Sequence, residues 1–436
     1  MKKERTLWGL FGWSALISVL LVLVCYVYWS MPYTFGYGDD QIAFIAKCKD
    51  LASPQDRDYD VVVVNVSYDK VLVPQYKDIM SDSGKKIARM RVGETEIVDR
   101  KEMASLMKYL KETDNYKYIL CDVAFDGRYE TEFDEELYST LASMRDIVVV
   151  AADSVPDPLA SVVVTAGYRI KKTGDDFLKY SCLIDGNENV ALKMWKDITG
   201  GEYKEKLWGI SMNGRRCLNS FIPDFRFILY DDIDENPENN ALGNGQEYET
   251  VVENLGTGLV DAIQYGGGLE MTFKDKIVLI GSWYDDDMHD TIVGEQPGIS
   301  IIYNAYLALV NRDNHVPFLI YFMLFLLFWV EAVFLLRKVY REELLAFFKP
   351  RQGRVAKAIN WVVSGIKCTN KVVELVIKAV LYFFSYTTPI AFFVLVVLVT
   401  KGLFVNVFLI GLCLAFLDSL IGEVFVQESE KDENKS

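Results

Sequence analysis

The chain has 436 residues, 51% of them hydrophobic, with 46 Lys and Arg against 61 Asp and Glu and a formal net charge of −15. That length leaves room for two ordinary domains, and the acidic balance, which falls on residues 30–316, argues against nucleic acid or anionic lipid as a partner of that stretch. Seven cysteines without a metal-ligand spacing argue against a zinc module.

In chain order, residues 1–6 form a short basic terminus with Lys2, Lys3 and Arg5. Residues 7–29 carry no charge and are long enough to cross about 30 Å of hydrocarbon. No small-x-small cleavage site follows at Ser30-Met31-Pro32, so the segment is expected to stay as an anchor rather than leave as a signal peptide. Residues 39–52 space their apolar positions as a helix does. Asp60–Ser67 (DVVVVNVS) has the continuous β-branched run of a strand buried on both faces. The Asn65-Val66-Ser67 sequon falls inside that strand, so glycosylation is not expected there.

Residues 100–113 form an amphipathic helix, followed by a strand at Tyr118–Val123, a helix at 134–144 and a strand at Asp146–Ala152. This alternation predicts a parallel sheet with helices on its faces. Residues 154–272, rich in Gly, Asn, Tyr and Asp, are expected to be a β-containing elaboration with short strands such as Phe225–Tyr230. The strand Lys276–Gly281 then leads to a helix at 299–312, which runs almost directly into a second apolar stretch.

Three more spans are expected at 317–336, 379–400 and 402–424, with Tyr321 and Tyr382 at their edges suited to the membrane interface. The connecting segment 337–378 holds ten basic residues against three acidic. By the positive-inside rule this loop and the N-terminus lie in the cytoplasm, and an even number of spans brings the polar tail 425–436 there too. Residues 30–316 then face outward, with 50 acidic and 30 basic residues, a balance of −20. The predicted fold class is an α/β extracytoplasmic domain with a largely parallel or mixed sheet, plus four transmembrane helices, one N-terminal and three C-terminal.

The order of these segments resembles the second type of CHASE domain, an extracellular sensory domain of bacterial receptors. The residues that carry the likeness are Asp60–Asp69 (DVVVVNVSYD), the helix begun by Arg100, Tyr118–Phe125 (YILCDVAF), and the closing segments KIVLIG, DMHDTIVG and PGISIIYNA. Two positions depart from the family pattern: Ile292 stands for an expected proline, and Ile302 for a histidine before the asparagine of the last helix. The resemblance implies one span before the sensory domain and three after it. Members often end in a kinase or cyclase domain, and this chain is expected to lack one and to signal through a separate protein partner.

Ligands of parallel α/β sheets gather at the carboxyl ends of the strands. Asp69, Asp126, Asp153, Asp285, Asp286, Asp287 and His289 all follow strands there, and such a rim could hold a ligand or a hard cation through oxygen ligands; the alternative is that they are solvated turn formers. Two histidines and the lack of a nucleophile elbow or phosphate-binding loop give no support to an enzyme, and no cofactor is expected. Asp287 with His289 is the one candidate acid–base pair.

Cys121 sits in an apolar strand as a core residue, while a Cys182–Cys217 bridge is left open. Glu331, Asp418 and Glu423 fall inside apolar spans, where charge is costly. All three are candidates for transmembrane coupling: Glu331 and Glu423 are expected to reach the cytoplasmic interface, and Asp418 to hydrogen-bond a neighbouring span or to couple span movement to a partner. The basic loop, with Trp361 and Ile366, suits an anionic leaflet or a partner.

These features predict a sensor-like protein of the bacterial inner membrane. It would meet an unknown small ligand or envelope component in the periplasm and a protein partner in or beneath the membrane, with homo-oligomerisation left open. The alternatives are a structural or docking subunit of an envelope complex, or an auxiliary transporter subunit.

Overall fold

The computed structural model describes residues 7–31, 61–81, 86–126, 129–150, 155–164, 179–207, 209–227, 251–266, 269–283, 287–291, 293–337 and 410. The chain divides into two compact units, residues 31–315 and residues 1–30 with 316–436.

The first unit is a mixed α/β structure around a parallel sheet. Its strands are β1 (Val61–Asn65), β2 (Lys70–Met80), β3 (Lys86–Val98), β4 (Tyr118–Asp122), β5 (Ile147–Val150), β6 (Val163–Val164), β7 (Tyr180–Ser181), β8 (Leu183–Ile184), β9 (Asn187–Glu188), β10 (Tyr203–Lys206), β11 (Gly209–Met212), β12 (Arg215–Cys217), β13 (Ser220–Phe221), β14 (Val251–Asn254), β15 (Ile277–Gly281), β16 (Met288–Thr291) and β17 (Gly294–Pro297). Six of them pair in the order β14-β1-β15-β4-β5-β6, every pairing parallel. β1, β5 and β15 are buried along their whole length, as unbroken apolar runs require when both faces of a sheet are covered.

Numbering α1 (Leu7–Ser30) first in the chain, the covering helices are α2 (Arg100–Thr113), α3 (Asp134–Ser143), α4 (Val190–Thr199), α5 (Asp261–Gln264), α6 (Glu270–Phe273) and α7 (Gly298–Asn311). α2 and α3 bury Met103, Leu106 and Leu137 against Val62, Ile119 and Val149. α4 and α7 bury Trp195, Ile299 and Tyr306 against Val61, Leu120 and Val148 on the opposite face. Asp99 starts α2, its carboxylate accepting from the Lys101 and Glu102 amides at 2.8 and 3.3 Å, which satisfies two of the orphan donors of a helix start. Gly281 lets α7 approach closely, since a Cβ there would lie 3.1 Å from Ile299 Cδ1.

The expected strands at 60–67, 118–123, 146–152 and 276–281 and the helices at 100–113, 134–144 and 299–312 all have counterparts within a residue or two where described. Residues 70–98 form a long hairpin that was not anticipated. The β-containing elaboration expected at 154–272 has short strands where described, together with the helix α4, and its β14 joins the main sheet. Phe225–Phe227, expected to begin a strand, is a loop held by Asn304; its Oδ1 accepts from the Arg226 and Phe227 amides, both at 2.8 Å. The side chain supplies what a neighbouring strand would have supplied.

The second unit pairs α1 with α8 (Phe318–Arg337). Phe11 meets Trp329 at 5.6 Å and Trp29 meets Tyr321 at 6.0 Å between ring centroids, so the helices run antiparallel. Ser14 and Ser18 are fully buried and bond back to Phe11 and Ser14 carbonyls at 3.0 and 2.7 Å, and such small residues allow close helix approach. α1 contains a 20-residue stretch apolar enough to cross a membrane. The helix expected at 39–52 and the spans at 379–400 and 402–424 lie outside the described residues, apart from Ile410.

Candidate functional site

Beyond β1 the chain turns to α2 on one face of the sheet, while beyond β15 it goes to α7 on the other. Adjacent strands whose connections part in this way open a crevice at their carboxyl ends. Polar groups lace that crevice together. Asn65, 2% exposed, donates to Asn254 Oδ1 at 3.1 Å and accepts from the Ser67 amide at 3.0 Å. Ser67 Oγ meets Ser282 Oγ at 3.0 Å and accepts from the Trp283 amide at 2.8 Å. The sequon asparagine is therefore a buried tie between strand ends.

Asp69 stands beside this lacing and faces Glu102 of the first turn of α2. Both carboxylates crowd Gly256 in the π-helical turn Leu255–Val260: a Cβ there would lie 2.5 Å from Asp69 Oδ1 and 2.6 Å from Glu102 Oε2. Among the described residues Asp69 Oδ2 is buried and accepts no hydrogen bond. Partial burial, then the charges of Asp69, Asp99 and Asp261, hold the Glu102 carboxyl above its usual range. Burial alone raises Glu253, which approaches Gly258 of the same turn. Lys101 opposes the rise at Glu102 only in part, so acidic groups dominate this corner, and π-helical turns occur frequently at functional sites.

Asp126 belongs to a different constellation. It is 3% exposed and contributes to the field around Arg100, which is 1% exposed. The Arg100 guanidinium donates to the Ala124 carbonyl at 3.1 Å, lies 4.5 Å over the Phe125 ring and reaches Asp134 at 3.9 Å. Among the described residues its Nε and Nη1 have no hydrogen-bond partner, nor has the Tyr138 hydroxyl. Burial lowers the Arg100 pKa, against the raising effect of Tyr138, Asp134, Cys121 and Asp126.

Asp287 and His289 do pair, at 3.0 Å from Oδ1 to Nε2, on the β16–β17 hairpin. Asp153, Asp285, Asp286, Asp418 and Glu423 lie outside the described residues. Among the described residues no three of His, Cys, Asp and Glu gather as metal ligands. The expected rim of carboxylates is thus parcelled out: Asp69 pairs with Glu102, Asp126 neighbours Arg100, and Asp287 meets His289. Glu331 is 3% exposed within its unit.

Cys121 is a core thiol, pushed up to about 12 by burial. Cys182 and Cys217 are buried and unbridged; burial, then the neighbouring Cys217, raises the Cys182 thiol.

Glu102, Gly256 and the buried state of Arg100 were missed from sequence. A helix opening Asp-Arg-Lys-Glu is ordinary surface chemistry until the sheet places it. No protein-family model, curated protein or solved structure matches this chain.

Proposed function

We propose that the chain is a membrane-anchored, sensor-like protein whose acidic α/β unit takes a positively charged ligand at the corner formed by Asp69, Glu102 and Gly256. The carrying observation is the carboxylate pair itself: Asp69 Oδ2 is buried without a donor and Glu102 is raised by burial and by Asp69. A cation between them relieves both penalties. The −20 balance of residues 30–316 draws such a ligand in from solution.

The order of elements supports a CHASE-type reading with four spans, residues 30–316 outside the bacterial inner membrane and both termini inside. Only six residues separate α7 from α8, so a displacement of α7 has a short covalent route to the span. The basic segment 337–378 would pass the message to a separate protein partner. The long exposed hairpin β2–β3 favours one other reading, a docking subunit of an envelope complex.

Thermal unfolding of the purified full chain with calcium, magnesium or spermidine tests the proposal. One of these cations should raise the melting temperature of the wild type and leave Asp69→Asn unmoved. If none shifts the wild type, or if both proteins respond alike, the ligand corner is refuted.

A further inference from the structure

Strands β2 and β3 form a ribbon of 11 and 13 residues that joins no third strand among the described residues. Its root is packed, with Val73 and Ile97 buried, but farther out Ile79, Ile87, Met90 and Val92 are 41 to 67% exposed. Two strands alone are marginal in water, and an unpaired edge is a template for another strand.

The two edges are not equivalent. Proline is tolerated in a ladder only where its nitrogen faces away from the neighbouring strand, so Pro74 leaves the outer edge of β2 short of a donor. β3 has no proline in its length.

The register of the ribbon adds a second asymmetry. Gln75 pairs with Gly93 and Tyr76 with Arg91, which leaves Val92 as the extra residue of a β-bulge. In a regular strand residues 91 and 94 point to opposite faces. The bulge resets the alternation, so Arg89 and Arg91 share a face with Glu94 and Glu96, opposite Asp78, Tyr76, Pro74 and Leu72. One face of the free edge therefore carries two cations and then two anions.

We propose that β3 is the dimer contact of this protein, pairing antiparallel with β3 of a second copy about a twofold axis between Val92 and Gly93. Arg91 then lies opposite the partner's Glu94, and Arg89 opposite the partner's Glu96. Symmetry repeats both pairs, so four pairs of opposite charge form and no charge faces its like. Met90 comes beside the partner's Thr95, on the other face. This register needs the bulge, because a regular strand would set facing residues on opposite sides. The same bulge blunts the edge against indiscriminate strand addition. In the single chain Arg89 bonds Glu130, and Arg91 bonds Glu94 of its own strand; these exposed pairs exchange readily for those across the axis.

The test is the mass of the full chain in detergent, measured by light scattering. The wild type should contain two copies, and R89E/R91E and E94R/E96R should each fall to one. Mixed in equal amounts, the two variants should return to two copies, since every reversed charge then meets its opposite. A single-copy wild type, variants that remain dimeric, or folded variants that stay single when mixed would each overturn the proposal. A readout without charge changes is bis-maleimide crosslinking of Val92→Cys, expected to give a covalent dimer while Leu207→Cys, at a still more exposed position (72% against 47%), does not. Absence of that dimer also overturns it.

Discussion

Replacing Arg100 by methionine keeps much of the side-chain volume and removes the charge. The loss has three parts: a hydrogen bond from a charged donor to the Ala124 carbonyl at 3.1 Å, the Phe125 ring contact at 4.5 Å, and the field on Asp126 and Asp134. The first contributes about 1.5–3 kcal/mol and the second about 0.5–2 kcal/mol. Opposing them is the desolvation of a guanidinium whose Nε and Nη1 make no hydrogen bond, a cost that methionine does not carry. Breaking a buried pair usually costs about 3–5 kcal/mol. Asp134 is also held by the Thr131 amide and hydroxyl at 2.9 and 2.8 Å, so the lower end of that range applies. A loss of about 3 kcal/mol corresponds to a fall of about 5 °C in melting temperature for a unit of this size. Thermal unfolding of the full chain, followed by tryptophan fluorescence, measures it. Arg100→Lys should fall between the two, keeping charge without the planar fork. An Arg100→Met protein as stable as the wild type would refute the reasoning, because the unpaired guanidinium would then outweigh its contacts.

Asn304→Leu should cost about 3 kcal/mol by the same assay, since it removes the acceptor of the Arg226 and Phe227 amides and leaves the Phe227 carbonyl only the 3.4 Å bond from Ser300 Oγ among those described. Asn304→Asp, which keeps the acceptor, should lose less. Gly201→Ala drives a Cβ to 2.3 Å from the buried Trp195 ring and should destabilise by about 1–3 kcal/mol or more. The three atoms nearest a Cβ at Gly256 are all carboxylate ends of flexible side chains, so Gly256→Ala should unfold near the wild-type temperature while abolishing any cation-induced shift. Glu102→Gln tests the electrostatics. Its folded pKa is raised, so ionisation penalises the native state as pH rises from the ordinary carboxylate range through the raised value. The variant should therefore melt above the wild type at pH 7, with the gap closing near pH 4, where both states are protonated; a gap independent of pH would count against it.

Much of the fold was legible because fully buried strands leave unbroken β-branched runs, as in VVVV at 61–64 and IVLI at 277–280. The hairpin at 70–98 was not, because its charged and apolar residues do not alternate cleanly across the bulge at Val92. β14 was hidden for a different reason: Val251–Asn254 is four residues long, and only its place beside β1 makes it a sheet edge. Among site residues, Asp69 was legible because it follows a recognisable strand. Its partner Glu102 comes from a helix start 33 residues later, and Gly256 from a turn more than 150 residues on. Those meetings depend on topology, which periodicity does not encode.

A ligand at the Asp69–Glu102 corner is proposed to alter the packing of α1 against α8. Phe11 and Trp329 touch across α1 and α8, and cysteines at these two positions of the full chain in lipid vesicles report that packing through their crosslinking rate. The cation that raises the melting temperature should change this rate several-fold in the wild-type background and leave it unchanged with Asp69→Asn. An identical rate with and without that cation would contradict the sensor account and leave the domain as a binding module alone.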